Sequence, residues 1–346
     1  MRAVVLVVTI CLTSNAIAEP AQKPEVSPKR RAAAIALAVV PGILLRGTGS
    51  YLVHDKPTAR RLLVTAGIGA GAVLIGGLAT GSTGGSPYVL LPFVPLLVAG
   101  TGVVLHTWFA DIYRAGGADT GRPRARTPWS VELGTTVTHD AYRDRALMRG
   151  AGRFARGRLE IGAGGYVDVK GQAKAADLDV SVRILGADPT GGVIDDGSWL
   201  GVRMGGRWRK DDDDRVSVLT AEAEVIGRLD MHRLSSTLHG SFAELTTGLG
   251  IERAKFAGAS EAGGLLLGRF AWGWYVCERG EFKLFYDHRR DSLAGGIAAG
   301  RAAGFVGSVG VATELRITGP WAVRGELEIG SAWVGTVGLR FLGGPP

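Results

Sequence analysis

The sequence predicts an α+β chain: an N-terminal helical hairpin followed by an antiparallel all-β domain, a β-barrel of about twelve strands. Three observations carry that prediction. Two long apolar stretches in the first third are joined by a glycine-rich turn, the apolar period beyond residue 128 drops from helical to two, and turn signals then recur at short intervals.

Composition sets the bounds. A hydrophobic share of 46% excludes a disordered chain, and 54 glycines without a three-residue period exclude collagen, so the glycines belong inside packed structure. A net charge of +8 would raise nucleic acid as a partner in a cytoplasmic protein. The N-terminus argues for export instead, which makes membrane lipids, lipopolysaccharide phosphates or other envelope proteins the expected partners, with no nucleic acid and no cofactor.

Residues 1–18 read as a signal peptide. Arg2 supplies a basic start, Ala3 to Leu12 an apolar core of about ten residues, and Ala16-Ile17-Ala18 the small-x-small cleavage pattern before Glu19. Cleavage would remove Cys11 and leave Cys277 as a single thiol. Residues 19–31, rich in Pro, Lys and Arg, read as a disordered lead-in.

Residues 32–117 form the expected membrane-associating helical module. Ala32 to Leu45 is a short apolar run containing Pro41-Gly42, and Arg61 to Gly81 and Tyr88 to Ala110 are the hairpin helices, joined by Ser82 to Pro87. Gly67 and Gly71, like Gly77 and Gly81, stand four apart, a spacing expected to bare one helix face for close approach of the second helix.

Pro41-Gly42, Gly47, Gly49, Tyr51, the polar step His54-Asp55-Lys56, and Ala59 followed by Leu62-Leu63 resemble a small membrane module. In that family a Pro-Gly start, a Gly-x-x-Tyr-like turn and a basic-apolar helix form a re-entrant piece before a helical pair. Here Gly49-Ser50-Tyr51 stands where a Gly-Gln or Gly-His pair is commoner. The resemblance covers about residues 38 to 80 and implies a membrane location.

Residues 118–128 are a Gly/Pro/Arg linker, and residues 129–346 the β-domain. Trp321, Val323, Gly325, Leu327 and Ile329 alternate with Ala322, Arg324, Glu326 and Glu328, and Leu178, Val180, Val182 and Ile184 alternate with Asp179, Ser181 and Arg183. About 218 residues divided into strand-plus-turn units of roughly 18 give about twelve strands, an even number as bacterial barrels require.

Alternation alone does not separate a membrane barrel, apolar side outward, from a soluble sandwich, apolar side inward. Glycine mixed with charge on the polar face favours the barrel, because small residues leave room for Arg and Glu to pair inside. Trp129, Trp199, Trp208, Trp272, Trp274, Tyr286, Trp321 and Trp333 lie near strand ends, where interfacial girdles belong. Trp333, Val337, Leu339 and Phe341 resemble the terminal strand of an outer-membrane β-barrel, although Leu342 to Pro346 extend past it.

No phosphate-cradling loop and no nucleophile elbow occurs in the sequence, and His54, His106, His232, His239 and His288 share no metal-ligand spacing, which suits interfacial or loop positions. Asp211 to Asp214 read as a solvated hairpin tip. The constellation left is Arg183, Arg203, Arg207 and Arg324 facing Glu132, Glu160, Glu222, Glu224, Glu326 and Glu328. It reads either as a charged lumen that selects solutes or as salt bridges filling a closed barrel. The expectation is a non-enzymatic envelope protein, in the outer membrane rather than the inner, with a structural or transport-like role. Its rival is an inner-membrane-anchored protein with a periplasmic β-sandwich for binding or scaffolding.

Overall fold

The structure, a computed structural model, describes residues 26–83, 87–117, 121–139, 144–188, 196–211, 216–256, 258–277, 279–288, 307–330 and 332–344. The signal peptide and most of the lead-in fall outside these residues. The chain divides into two compact units: residues 1–122 with 228–245 and 270–275, and the remainder.

In the first unit, α1 (Pro28–Val39) starts inside the segment read as a disordered lead-in. Pro28 occupies the first turn, where its missing N–H is no loss, and the Arg30 guanidinium ties the helix down by donating to the Leu52 carbonyl at 2.7 Å. A 3₁₀ turn (Pro41–Ile43) and α2 (Thr48–Leu52) follow, then α3 (Lys56–Ser82) and α4 (Pro87–Gly116). Both hairpin helices are longer than the apolar pattern indicates; α3 starts five residues early because Asp55 caps it by accepting from the Thr58 N–H at 3.2 Å, and α4 runs on past Ala110 to Gly116.

The residues behind the small-module resemblance sit where the chain folds back. Gly47 has φ +87°, and a Cβ there would lie 2.8 Å from the Ala59 Cα, so both conformation and space demand glycine. At Gly49 a Cβ would strike Ala38 of α1 and Ala115 of α4. Asp111 on α4 is fully buried and accepts from the Gly49 N–H at 3.1 Å and from the Ser50 N–H and hydroxyl at 2.7 Å each, satisfying buried N–H groups in the first turn of α2.

The hairpin packs through a different glycine face from the expected one. A Cβ at Gly67, Gly71 or Gly81 would meet nothing, and one at Gly77 only grazes Leu97 at 4.0 Å. Close approach belongs to Gly69, whose Cβ would lie 3.0 Å from the Gly100 carbonyl, and to Gly76, 2.8 Å from the Phe93 carbonyl, with Gly100 answering from α4. Gly69 and Gly76 are seven apart, two turns along one stripe, whereas Gly67 and Gly71 lie on the side that also exposes Val64, Ile68, Leu74 and Ile75.

The same unit contains residues 231–240, the turn between the strands Val216–Asp230 and Ser241–Phe256. Leu62, Ala110 and Tyr113 form one apolar cluster with Met231, Leu238 and Trp272. Around it, Asp55 accepts from Arg114 at 2.6 Å and from Thr237 at 2.7 Å, Arg61 donates to the Leu234 carbonyl and Tyr113 to the His239 carbonyl. His106 is buried beside Phe270 and Trp272 with its Nε2 at 2.7 Å from the Ala271 carbonyl, not at an interface or in a loop as its spacing suggests.

The strands are β1 (Trp129–His139), β2 (Asp144–Arg156), β3 (Leu159–Asp168), β4 (Ala173–Gly186), β5 (Trp199–Asp211), β6 (Val216–Asp230), β7 (Ser241–Phe256), β8 (Ala259–Val276), β9 (Gly280–Asp287), β10 (Ser308–Thr318), β11 (Trp321–Ile329) and β12 (Trp333–Gly343). They form one closed up-and-down barrel in which each strand pairs with its sequence neighbours and β1 pairs with β12. Closure overturns the β-sandwich alternative: a sandwich has two separate sheets, and here the register runs without a break from Trp129↔Gly343 to His139↔Trp333 across the seam.

Candidate functional site

The two faces of the wall separate cleanly. On β1, Trp129, Val131, Leu133 and Val137 are exposed, Leu133 by 70%, while Ser130, Glu132, Thr136 and Thr138 between them are buried. The same division holds on β4, where Leu178, Val180, Val182 and Ile184 point out and their register places Asp177, Asp179, Ser181 and Arg183 inside. An apolar exterior around a charged interior is stable only against lipid, since in water it would leave a continuous apolar belt exposed. The strand domain is a membrane-spanning β-barrel.

Its aromatic residues mark the belt. Trp129, Phe341 and Trp321 cluster outward at one end, with ring centroids 5.6 and 5.1 Å apart, and Trp333 stands outward at the other. From Trp129 to the His139–Trp333 level is about ten residue steps, which at about 3.3 Å per residue and a tilt of about 40° gives roughly 25 Å, the height of an outer-membrane apolar band. Three aromatics placed in girdles by sequence position lie elsewhere. Trp272 is in the buried cluster of the helical unit and Trp274 packs against it, while Trp199 faces inward over Gly201. The alternation of its own strand turns Trp199 inside, two residues before Gly201 and four before Arg203, and Arg183 stacks on it at 4.7 Å.

The ten charged residues singled out from the sequence all fall on inward positions, but in separate groups. Glu132, buried to 2%, is the hub of the first: Arg340 donates to it at 2.5 Å, with Arg324 at 3.7 Å and Arg149 at 3.9 Å. Arg340 also binds Glu314 at 2.5 Å, and Arg324 binds Glu326 at 2.7 Å. In the second, Glu160 takes Arg126 at 2.6 Å and Arg153 at 3.1 Å. In the third, the Arg203 Nε donates to Glu224 at 2.7 Å. Arg207 lies opposite Asp177, Glu222 opposite Gly250, and Glu328 accepts from Ser308.

Inward glycines make this charge density possible. A Cβ at Gly162 would lie 2.6 Å from Asp179 Oδ1, at Gly338 2.9 Å from Glu132 Oε1, and at Gly248 2.8 Å from Glu224 Cγ; Gly164 and Gly250 stand in the same way across from Asp177 and Glu222. Each carboxylate thus leans over a residue without a side chain.

At the end of the barrel away from Trp129 and Gly343, Arg145 on β2 reaches across two strands to Asp211 on β5 at 2.9 Å, and Arg209 adds a second bond at 2.8 Å. Asp211 therefore faces inward and is paired, which corrects its reading as part of a solvated tip; 212–214 lie outside the described residues. Arg340, Arg149 and Glu314 went unselected although the alternation of Val337, Leu339 and Phe341 already assigns Arg340 to the inner face. Arg126 carries no such signal, because it sits in the linker.

No protein-family model matches the chain, and no curated protein does. Among solved structures, the KdgM porin is similar at TM-score 0.39 and 9% identity, covering 61% of this chain and 98% of that one. The NanC porin gives 0.41 and 7% over the same shares, and the Acinetobacter baumannii outer membrane protein Omp33 gives 0.33 and 9% over 64% and 100%. At these values the likeness bears on neither solute nor mechanism.

Proposed function

We propose that this protein is a non-enzymatic outer-membrane β-barrel with a transport-like role, its charged interior offering a narrow path to small polar solutes. The observation that carries the reading is the sorting of side chains on every seam strand, apolar outward and paired Arg and Glu inward. The roughly 25 Å belt between aromatic ends suits the outer membrane, whose lipids and lipopolysaccharide are the expected contacts. On α3 and α4, two segments long and apolar enough to cross a bilayer, with mean hydropathy 2.1 and 1.6, suit further lipid contact.

One observation favours a purely structural cylinder: the Arg145–Asp211 bridge and the packed Leu147, Tyr166, Ala173 and Ala175 crowd one end of the interior. Planar-bilayer recording distinguishes the two readings. Steps of conductance from the purified full chain support the passage, and a silent but inserted barrel supports the cylinder. Co-fractionation with the inner membrane, or gel mobility that ignores heating, would overturn the outer-membrane reading itself.

A further inference from the structure

One face of α3 is left open. Gly69 and Gly76 turn one side of the helix to α4, and on the opposite side Val64, Ile68, Leu74, Ile75 and Leu78 are each more than half exposed. The helical period places Lys56 and Arg60, both exposed, on that same side, in line with Gly67, Gly71 and Leu78. The face therefore opens on two cations and then runs apolar for about eighteen residue steps, from Arg60 to Leu78. At about 1.5 Å per step this is roughly 27 Å, close to the roughly 30 Å of a hydrocarbon core.

Lys56 and Arg60 stand one turn apart, where like charges repel unless an anion lies between them. The helices offer them no such anion: Asp55 and Asp111, the two carboxylates within residues 26–83 and 87–117, are both buried and both engaged. Asp55 is taken by Arg114 and Thr237, and Asp111 by the backbone of Gly49 and Ser50. The Lys56 ammonium lies 5.7 Å over the exposed Tyr51 ring, and an aromatic beside a cation suits the headgroup level of a membrane. Below that level Gly67 and Gly71, where an added Cβ would meet nothing, flatten the middle of the face between Leu74 and Val64.

We infer that this face binds a phospholipid with an anionic headgroup, the phosphate held between Lys56 and Arg60 and an acyl chain laid over Gly67 and Gly71. This rests on the membrane reading of the chain and names the class of lipid that its helical unit takes. A second copy is the poorer occupant, because in the same membrane it would bring another Lys56 and Arg60 to the same depth. A soluble phosphate offers the same oxyanion but nothing for the apolar length beneath, so the site is assigned to the lipid.

Native mass spectrometry of the full chain, equilibrated in a neutral detergent with equal amounts of phosphatidylglycerol and phosphatidylcholine of matched acyl chains, tests it. One phosphatidylglycerol is expected to stay bound in preference to phosphatidylcholine by roughly thirtyfold, the factor for two basic residues at an anionic headgroup level. Lys56→Gln combined with Arg60→Gln should abolish the preference, while Arg253→Gln, exposed on β7, leaves it unchanged. Gly67→Leu combined with Gly71→Leu, at positions with open space, should weaken retention with both cations in place. Equal retention of the two lipids by the parent chain, or parental behaviour in either double variant, overturns the inference. Displacement of the lipid by an equal concentration of glycerol phosphate also overturns it, assigning the cations to a soluble anion. So does a parent chain recovered as a lipid-free dimer, which assigns the face to a second copy. A parent chain that lacks the preference yet keeps heat-modifiable mobility refutes the lipid site alone, whereas loss of both overturns the barrel reading as well.

Discussion

A charge placed at Leu133 probes the outward face most directly. Leu133 is 70% exposed and about four residue steps from Trp129, which at about 3.3 Å per step and a tilt of about 40° puts it roughly 10 Å inside one aromatic end and within about 3 Å of the middle of the belt. Arginine near the midplane of a barrel's lipid face costs about 2–4 kcal/mol, and a loss of 2 kcal/mol alone lowers the folded-to-unfolded ratio about 30-fold. His139→Arg, at the Trp333 level, should cost only about 0–1 kcal/mol because the interface hydrates the charge. Urea unfolding in thin-lipid vesicles, followed by tryptophan fluorescence, reads both variants. If Leu133→Arg unfolded within about 0.5 kcal/mol of the parent, as surface changes in water do, the lipid-facing assignment would be refuted.

The glycine–carboxylate pairing predicts that Gly338→Val, which drives a side chain into Glu132, destabilises the barrel by about 1–3 kcal/mol in the same assay, while Gly335→Ala, with open space around it, is close to neutral. In the hairpin, Gly69→Val should separate α3 from α4 and Gly67→Val should not, which protease susceptibility of the hairpin in detergent would register. Burial pushes the Asp55 carboxyl up, but hydrogen bonds from Arg114, Thr237 and Thr58 outweigh it and hold the group below its ordinary value. A depressed carboxyl stabilises fully above about pH 4, its unfolded value, and loses that contribution as pH falls through the lower folded one. Protection of the β6–β7 turn from hydrogen exchange should therefore drop below about pH 4 in the parent chain, and Asp55→Asn should lower it at neutral pH and flatten the acid response.

Much of the barrel was legible because membrane and interior impose opposite demands on successive residues, so Trp321 to Ile329 announces both a strand and its two faces. Strand number followed from unit length alone. Nearness to a strand end does not decide a face: Trp199 shares the parity of Gly201 and Arg203, so the alternation of its own strand turns it inward and away from the girdle. The hairpin face was hidden for another reason. The middle of α3 is apolar or small all round, so Gly67-x-x-x-Gly71 and the Gly69/Gly76 stripe look alike until α4 takes one side. The charged set was found strand by strand from alternation, but its division into groups depends on the stagger between strands, and Arg126 enters from a segment with no period at all.

The seam between the first and last strands is fastened on both surfaces: Glu132 meets Arg340 within, Thr136 meets Thr336 at 3.0 Å, and Trp129 stacks near Phe341 without. A slip of one residue would push Arg340 into hydrocarbon and draw Phe341 among the acids, two penalties for a single error. Ring closure thus carries its own proofreading, since a wrong circumference is penalised on the wet and the greasy side of the wall at once.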